Sequence, residues 1–332
     1  MKIKGFWITV FSIGILLTAV TDSPGTSYYE GKTISIVVGF GPGGGYDRIA
    51  RLLAKHLPKH IPGRPTIIVQ NMVGGGSMIA ASYLYNVARP DGLTIGTIEK
   101  GLAFAQLLKT DGVQFDLMKY SWIGSAASET VVLAIRSDLP YKTVDDLRKA
   151  RDPLYIAGIG ASDTQHPLIL KEYLKLNLKM TIYPSAIDGM LAIERKEADG
   201  KSGSYSTLKP YIDRGLIRPL LRGRKSIPEI ANLPVDQDLT TDPKGKTILG
   251  MLSSIDLFAR LYVAPPGSPP EVINILRTAF ARVMKDPELL ADSKKMGYPM
   301  EYVSADECLK VLKSLFSQPD DIVKEFGKFV KF

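Results

Sequence analysis

Gly41, Gly43, Gly44 and Gly45 stand between an apolar, β-branched run (33–40) and a segment of helical periodicity that begins at Tyr46. Glycines let backbone N–H groups converge with no Cβ in the way, and a helix start adds unpaired amides and a partial positive charge. That combination offers anion binding. Nucleotide versions of the motif need a stricter spacing. Counting Gly-x-Gly-x-x-Gly from Gly41 puts Tyr46 at the last glycine position, and counting from Gly43 puts Arg48 there. The Gly-Lys-Ser/Thr of a phosphate loop is also missing from "GGGYD". Asp47 would repel an anionic guest, so its carboxylate is expected to turn back onto the helix's own N–H groups as a cap. A glycine turn with no ligand is the alternative that these residues alone leave open.

Three further stretches carry similar chemistry. In "VGGGSM" (73–78), Gly76 and Ser77 offer an amide and a hydroxyl at another helix start. Neighbouring parallel strands bring their carboxyl ends together, so the two loops can share one crevice. In "AGIGASDTQHPLIL" (157–170), Gly158, Gly160, Ala161, Ser162, Asp163 and Thr164 leave a strand and enter a helix. Ser162, Asp163 and His166 raise a rival reading, an exported hydrolase or transferase with the glycine loops as an oxyanion or phosphate site. A nucleophile elbow needs Gly-x-Ser-x-Gly, which "GASDT" does not provide, and His166 reads as a helix-start or packing residue. In "IYPSAIDGMLAIERKEADGKSGSYS" (182–206), Ser185 is expected to close a strand and Asp199-Gly200 a later one. The charge run from Glu194 to Glu197 reads as a solvated helix face. Three histidines and one cysteine supply no metal-ligand spacing, so no metal, cofactor or catalytic residue is expected.

Such loops need strands and helices to hold them. Strands are predicted over 33–40, 93–99, 130–137, 154–160, 179–185 and 257–264, with helices over 46–58, 143–150, 164–176 and about 188–197. Thr143 is a candidate cap, and Ser268 to Glu271 reads as a capping box with Pro269 at the first helical position. The alternation predicts two α/β lobes with largely parallel sheets, and two lobes imply a cleft between them.

Length and composition agree with that plan: 332 residues, 45% hydrophobic and 23% charged, suit a globular chain large enough for two lobes. Lys2 and Lys4 precede an apolar run, Phe6 to Val20, followed by "TDSPGTS", the pattern of a cleaved secretory leader over 1–26. That run, broken by Thr9, Ser12, Gly14 and Thr18, falls short of the roughly 20 residues that span a bilayer. Cys308, the single cysteine, permits no intrachain disulfide and recurs with Val311, Leu312 and Leu315 at helical spacing, as a packed thiol does. The net charge of +8 is scattered rather than gathered into a stripe, which argues against nucleic acid and for a mild attraction to small anions.

Taken in order, "YYEGKTISIVVGFGPGGGYDRIARLLAKHL", "IIVQNMVGGGSMIAASYLYNVARPDGLTIGT" and "FARLYVAPPGSPPEVINILRTAF" resemble the periplasmic receptors of tripartite tricarboxylate transporters, also called Bug-type receptors. The resemblance implies a type II periplasmic-binding-protein fold, two α/β lobes around a ligand cleft. Lobe 1 would comprise 27–122 plus 245–332 and lobe 2 123–244, hinged near 100–125 and 235–258. It implies a monomeric, non-enzymatic periplasmic protein that delivers a small organic carboxylate to membrane permease subunits. Backbone amides at Gly43, Gly44, Gly45, Tyr46 and Asp47 would hold the carboxylate, with Gly76 and Ser77 beside them. Gly160, Ala161, Ser162, Asp163, His166 and Ser185 would close from the second lobe. Departures cluster there: Gly158, Gly160, Ser162 and Asp163 replace Ser-x-Gly-x-Gly-Ser, Tyr183, Pro184 and Ser185 replace Tyr-Lys-Gly, and Ala192 stands at a familiar Asp.

Overall fold

The computed structural model describes residues 27–158 and 161–330, with 161–163 given by their backbone alone. The leader expected over 1–26 therefore lies outside the described residues. The first half of lobe 1 runs β1 (Thr33–Val38), α1 (Gly45–His56), β2 (Thr66–Asn71), α2 (Met78–Asn86), β3 (Thr94–Thr97), α3 (Leu102–Leu107) and β4 (Ser121–Ser125). The chain then crosses into β5 (Val131–Arg136), α4 (Val144–Arg148), β6 (Leu154–Gly158), α5 (Ala161–Leu174), β7 (Leu178–Ile182), α6 (Ala186–Glu194), β8 (Gly200–Ser204), α7 (Tyr205–Asp213) and β9 (Ile217–Arg222). It returns through α8 (Pro243–Ser254) to β10 (Leu261–Ala264), α9 (Pro270–Val283), α10 (Pro287–Lys295), β11 (Val303–Ser304), α11 (Ala305–Phe316) and α12 (Asp320–Phe326).

Among the described residues two sheets form, ordered β11-β4-β10-β3-β1-β2 and β7-β6-β8-β5-β9. The chain passes between them twice, after β4 and after β9, the first time within 126–130. Strands β1, β2 and β3 are parallel to one another, as are β6, β7 and β8. The expected largely parallel sheets are in fact mixed. Strand β10, arriving from the other lobe, pairs antiparallel with both β3 and β4, and β5 pairs antiparallel with β8 and β9. A strand that enters from across the cleft runs against those that βαβ units lay down.

The hydrophobic pattern explains the layers. Ile49, Leu52 and Leu53 of α1 are buried with Ile34 and Ile36 of β1 and with Phe280 of α9, covering one face of the first sheet. A larger core continues from α3 and α11 through α8 into α5, joining Phe104, Leu312 and Phe258 to Leu170 and Ile156, so the lobes share apolar packing on that side. Cys308 lies wholly buried there, and burial pushes its thiol up to about 12, as a packed side chain requires. Among the described residues no helix is long and apolar enough to cross a membrane.

Local signals held at some helix starts and failed at others. Thr143 caps α4 in a full capping box with Asp146. Ser268 does not cap α9: the helix begins at Pro270, and the Ser268 hydroxyl donates to the Pro265 carbonyl at 2.8 Å within the proline-rich turn. The strand predicted over 257–264 is shorter, because Ile255–Phe258 forms a 3-10 turn ahead of β10. Asp199-Gly200 opens β8 rather than closing a strand. The run Glu194 to Glu197 is exposed, as a solvated face should be.

An ionic seam pins the 3-10 turn after α1, Leu57–His60, to the start of α10. Asp286 caps α10 by accepting from the amides of Glu288 and Leu289, and Lys59 Nζ and His60 Nε2 each lie 2.7 Å from its other oxygen. Burial opposes its ionisation, but these partners outweigh burial and hold the carboxyl well below the usual range. Asp286→Ala should therefore destabilise the fold by about 1–2 kcal/mol in urea unfolding at pH 7. Because the folded pKa is depressed, this contribution is complete above about pH 4 and fades as the pH falls further. A wild type and a variant equally stable at pH 7 would show that the seam contributes nothing.

Candidate functional site

The C-terminal ends of β1, β2 and β3 each lead to a helix start, as do those of β6, β7 and β8. Parallel strands followed by helices put six helix N-termini at the facing edges of the two sheets, where their dipoles favour negative charge. The start of α1 is the best developed. Its first turn leaves the amides of Gly44, Gly45, Tyr46 and Asp47 with no acceptor among the described residues, and Gly44 caps it without a side chain. Gly43 holds a left-handed φ of 84°, which turns the loop into the helix.

Asp47 is turned back, though not onto the helix's own amides as expected. Its Oδ2 accepts from the Gly43 amide at 2.8 Å and from Arg51 Nε at 3.0 Å, and its Oδ1 accepts from Asn71 Nδ2 at 2.9 Å. Position three of a helix reaches the residues before the helix more easily than its own turn. Burial disfavours the charge, but the bonds from Arg51, Gly43 and Asn71 prevail and hold the carboxyl down at about 2. One consequence is that the Gly43 amide is already engaged, so the amides left for a guest start at Gly44. Asn71 also donates to the Phe40 carbonyl, which ties the end of β2 to this loop.

The second glycine loop lies directly behind the first. Ser77 is buried, and its Oγ accepts from the Glu99 amide at 3.2 Å. A Cβ at Gly39 would sit 1.8 Å from that oxygen, so only glycine lets the chain leave β1 so close to Ser77. Ser77 thus packs against the chain just past β1, and its hydroxyl braces the loop from within.

In lobe 2, Gly160 lies outside the described residues, and Ala161, Ser162 and Asp163 open α5. His166 is 5% exposed and points inward: Nδ1 lies 2.6 Å from Ser202 Oγ and Nε2 3.0 Å from Asp236 Oδ2. Both ring nitrogens are committed, and the serine and aspartate are buried too, so the contact is a brace between α5, β8 and the turn at 236–239. Ser185 does not end β7; it caps α6, accepting from the Asp188 amide at 3.2 Å and donating to the Asp188 carboxylate at 2.7 Å.

Sequence reasoning missed the charged floor between the lobes. Arg260 Nη2 pairs with Glu129 Oε1 at 2.8 Å, both side chains about one-tenth exposed. The Arg260 guanidinium also lies 4.5 Å over the ring of Tyr46, whose other neighbour, Phe40, stacks at 4.5 Å. Lys100, just past the end of β3, pairs with Asp256. Burial opposes charge on Lys100 and Arg260, but Asp256 and Glu129 hold Lys100 protonated, and Glu129 does the same for Arg260. Burial likewise opposes the Glu129 carboxylate, and Arg260, Lys100 and the Ser204 hydroxyl overcome it. Glu99, by contrast, is pushed up by burial and by Glu129, against the pull of Lys100. Charged residues are almost never buried unpaired. Their presence inside apolar runs, as in "TIEKG" and "LFARLYV", was the available signal.

A cleft between two α/β lobes, with helix starts on both sides, is the architecture of the type II periplasmic-binding fold. The family model described as "Tripartite tricarboxylate transporter family receptor" matches residues 49–328, and the chain belongs to that family of periplasmic substrate-binding receptors, which are not enzymes. It is 25% identical over 331 residues to a UPF0065 protein of Bordetella pertussis, covering 96% of each chain. Among solved structures it resembles a TctC solute-binding protein from Polaromonas, with TM-score 0.70 and 17% identity over 90% of this chain and 99% of that one. It also resembles MatC from Rhodopseudomonas palustris with bound malate, with TM-score 0.62 and 19% identity over 88% and 99% of the two chains. A second R. palustris protein, with adipate, gives 0.66 and 18% over 89% and 97%.

Proposed function

We propose that this chain is exported by its leader at 1–26 and, as a monomer, captures a small organic carboxylate between its lobes for the membrane subunits of a tripartite transporter. The observation that carries the reading is the start of α1, where the amides of Gly44, Gly45 and Tyr46 converge beside a guanidinium. Carboxylates bind such helix starts through charge-assisted bonds to backbone N–H groups. Family membership and the malate and adipate held by proteins of the same fold support the ligand class. From lobe 2 the start of α5, at Ala161 to Asp163, completes the enclosure, while His166 and Ser185 hold that lobe's helices rather than the ligand. Lobes 27–122 with 245–332 and 123–244 then close about the two crossings, and ligand shifts the population to the closed form.

The test is melting temperature and calorimetry with mono-, di- and tricarboxylates, followed by recovery of the acid. A stoichiometric, saturable stabilisation with the acid unchanged is expected; turnover of the acid would overturn the reading. Gly45→Ala sharpens it. A Cβ there would lie 3.3 Å from Arg260 Nη2 and 3.6 Å from the Tyr298 ring, against the amides that face the guest. Carboxylate affinity should fall about tenfold, the equivalent of one good hydrogen bond, with little change in the ligand-free melting temperature.

A further inference from the structure

Beside the start of α1 lies a 640 Å³ cavity that a four-carbon acid does not account for. Its walls come from both lobes: Ile49, Leu290, Tyr298 and Met300 on one side, Tyr205 and Ile227 on the other. Its wall reaches the start of α1 through two residues: Tyr298 lies within 4 Å of where a Cβ at Gly45 would stand, and Ile49 is one turn further along the same helix. Cavities of about 300–1,000 Å³ with mainly apolar walls enclose drug-sized ligands.

Two of the charges around it are already paired. Glu129, at its floor, is paired with Arg260 at 2.8 Å, and Lys209, on α7, is paired with Asp213 at 2.8 Å. Lys294 and Glu229 both stand exposed at its edge, on opposite lobes and with opposite sign. A second carboxylate seated deep in this space would meet mainly apolar walls and the Glu129 carboxylate, with Lys294 only at the exposed edge, and burying an unpaired charge is costly. An apolar body would instead take much of its own surface and that of the walls out of water.

We propose that the ligand is a carboxylate with an extended apolar body, an alkyl or aryl monocarboxylic acid, whose head group sits on the α1 amides and whose tail fills this cavity. The assignment rests on the carboxylate reading above and narrows it. Calorimetry of the full mature chain with the straight-chain series from acetate to octanoate, and with malate and succinate alongside, tests both together. Kd should fall about fourfold for each added methylene until the cavity is filled, the gain expected for burying one such group. If malate or succinate binds while the monocarboxylate series is flat or weakens with length, the apolar assignment is overturned and the carboxylate reading stands. If no acid of either kind binds, the carboxylate reading itself fails and this one with it.

Ser206, half-buried on α7, gives an independent check. Ser206→Trp puts an indole into the cavity from lobe 2, and the dependence on chain length should collapse. The ligand-free melting temperature reports whether the variant is folded. A folded variant that keeps the wild-type slope would show that the tail lies elsewhere.

Discussion

Replacing Arg260 with Met should lower the stability of the receptor by about 3–5 kcal/mol, the cost of removing one partner of a buried ion pair. Glu129 would be left charged and nine-tenths buried, with only Lys100 and the Ser204 hydroxyl to steady it. The substitution also removes the cation from the face of Tyr46, worth about 1 kcal/mol or more when desolvated. Urea unfolding followed by circular dichroism reads the loss. The double variant Arg260→Met with Glu129→Leu should recover most of it, because an apolar pair of similar volume is often as stable as the buried ion pair it replaces. Binding should not recover. Arg260 lies beside Gly45, and without it the carboxylate site loses the guanidinium next to its amides. A single variant within about 1 kcal/mol of wild type would mean that Glu129 is neutral or solvated in the folded protein.

This pair also shows what a linear reading can and cannot find. The strand, glycine turn and helix from 33 to 56 are local: β-branched residues, then glycines, then apolar residues at helical spacing, each with its own backbone preference. That part of the site was legible almost to the residue. The ordered resemblance extended it to the whole fold. The floor was not legible because Lys100 and Asp256, or Glu129 and Arg260, come from segments that only tertiary folding joins. Nor was the fate of short polar side chains. Ser268 and Ser185 had the right types for a cap and a ligand hydroxyl. Each instead satisfied the nearest unpaired backbone or buried group, at Pro265 and Asp188 respectively, while His166, read as a helix-start or packing residue, packs against Ser202 and Asp236. The cavity beside Gly45 was invisible for the same reason as the floor, since its walls are assembled across the cleft from helices on both lobes.

The Asp47 carboxylate offers the sharper test of how the first loop is held. Three donors converge on it: the Gly43 amide, Arg51 and Asn71. Arg51 is half exposed, so its ion pair adds little in water, and the bonds to Gly43 and Asn71 carry the effect. Asp47→Ala should cost about 2–4 kcal/mol in urea unfolding, since hydrogen bonds to a charged group contribute about 1.5–3 kcal/mol and two donors are left unpaired. Acid should mimic the mutation. With a folded pKa of about 2, below the ordinary carboxylate value, the group stabilises the fold fully above about pH 4 and progressively less down to pH 2. The wild type should therefore lose more stability than the variant over that interval, and the two should converge. Ligand affinity discriminates between two roles for the same residue. If Asp47 fixes the loop so that the amides of Gly44, Gly45 and Tyr46 point at the guest, the variant binds carboxylates at least about tenfold more weakly, because misaligned donors are worth little. If its charge merely repels the guest, Asp47→Asn binds more tightly with no loss of melting temperature. The geometry favours the first outcome: the carboxylate is 2% exposed and is already held by the Gly43 amide and by Asn71.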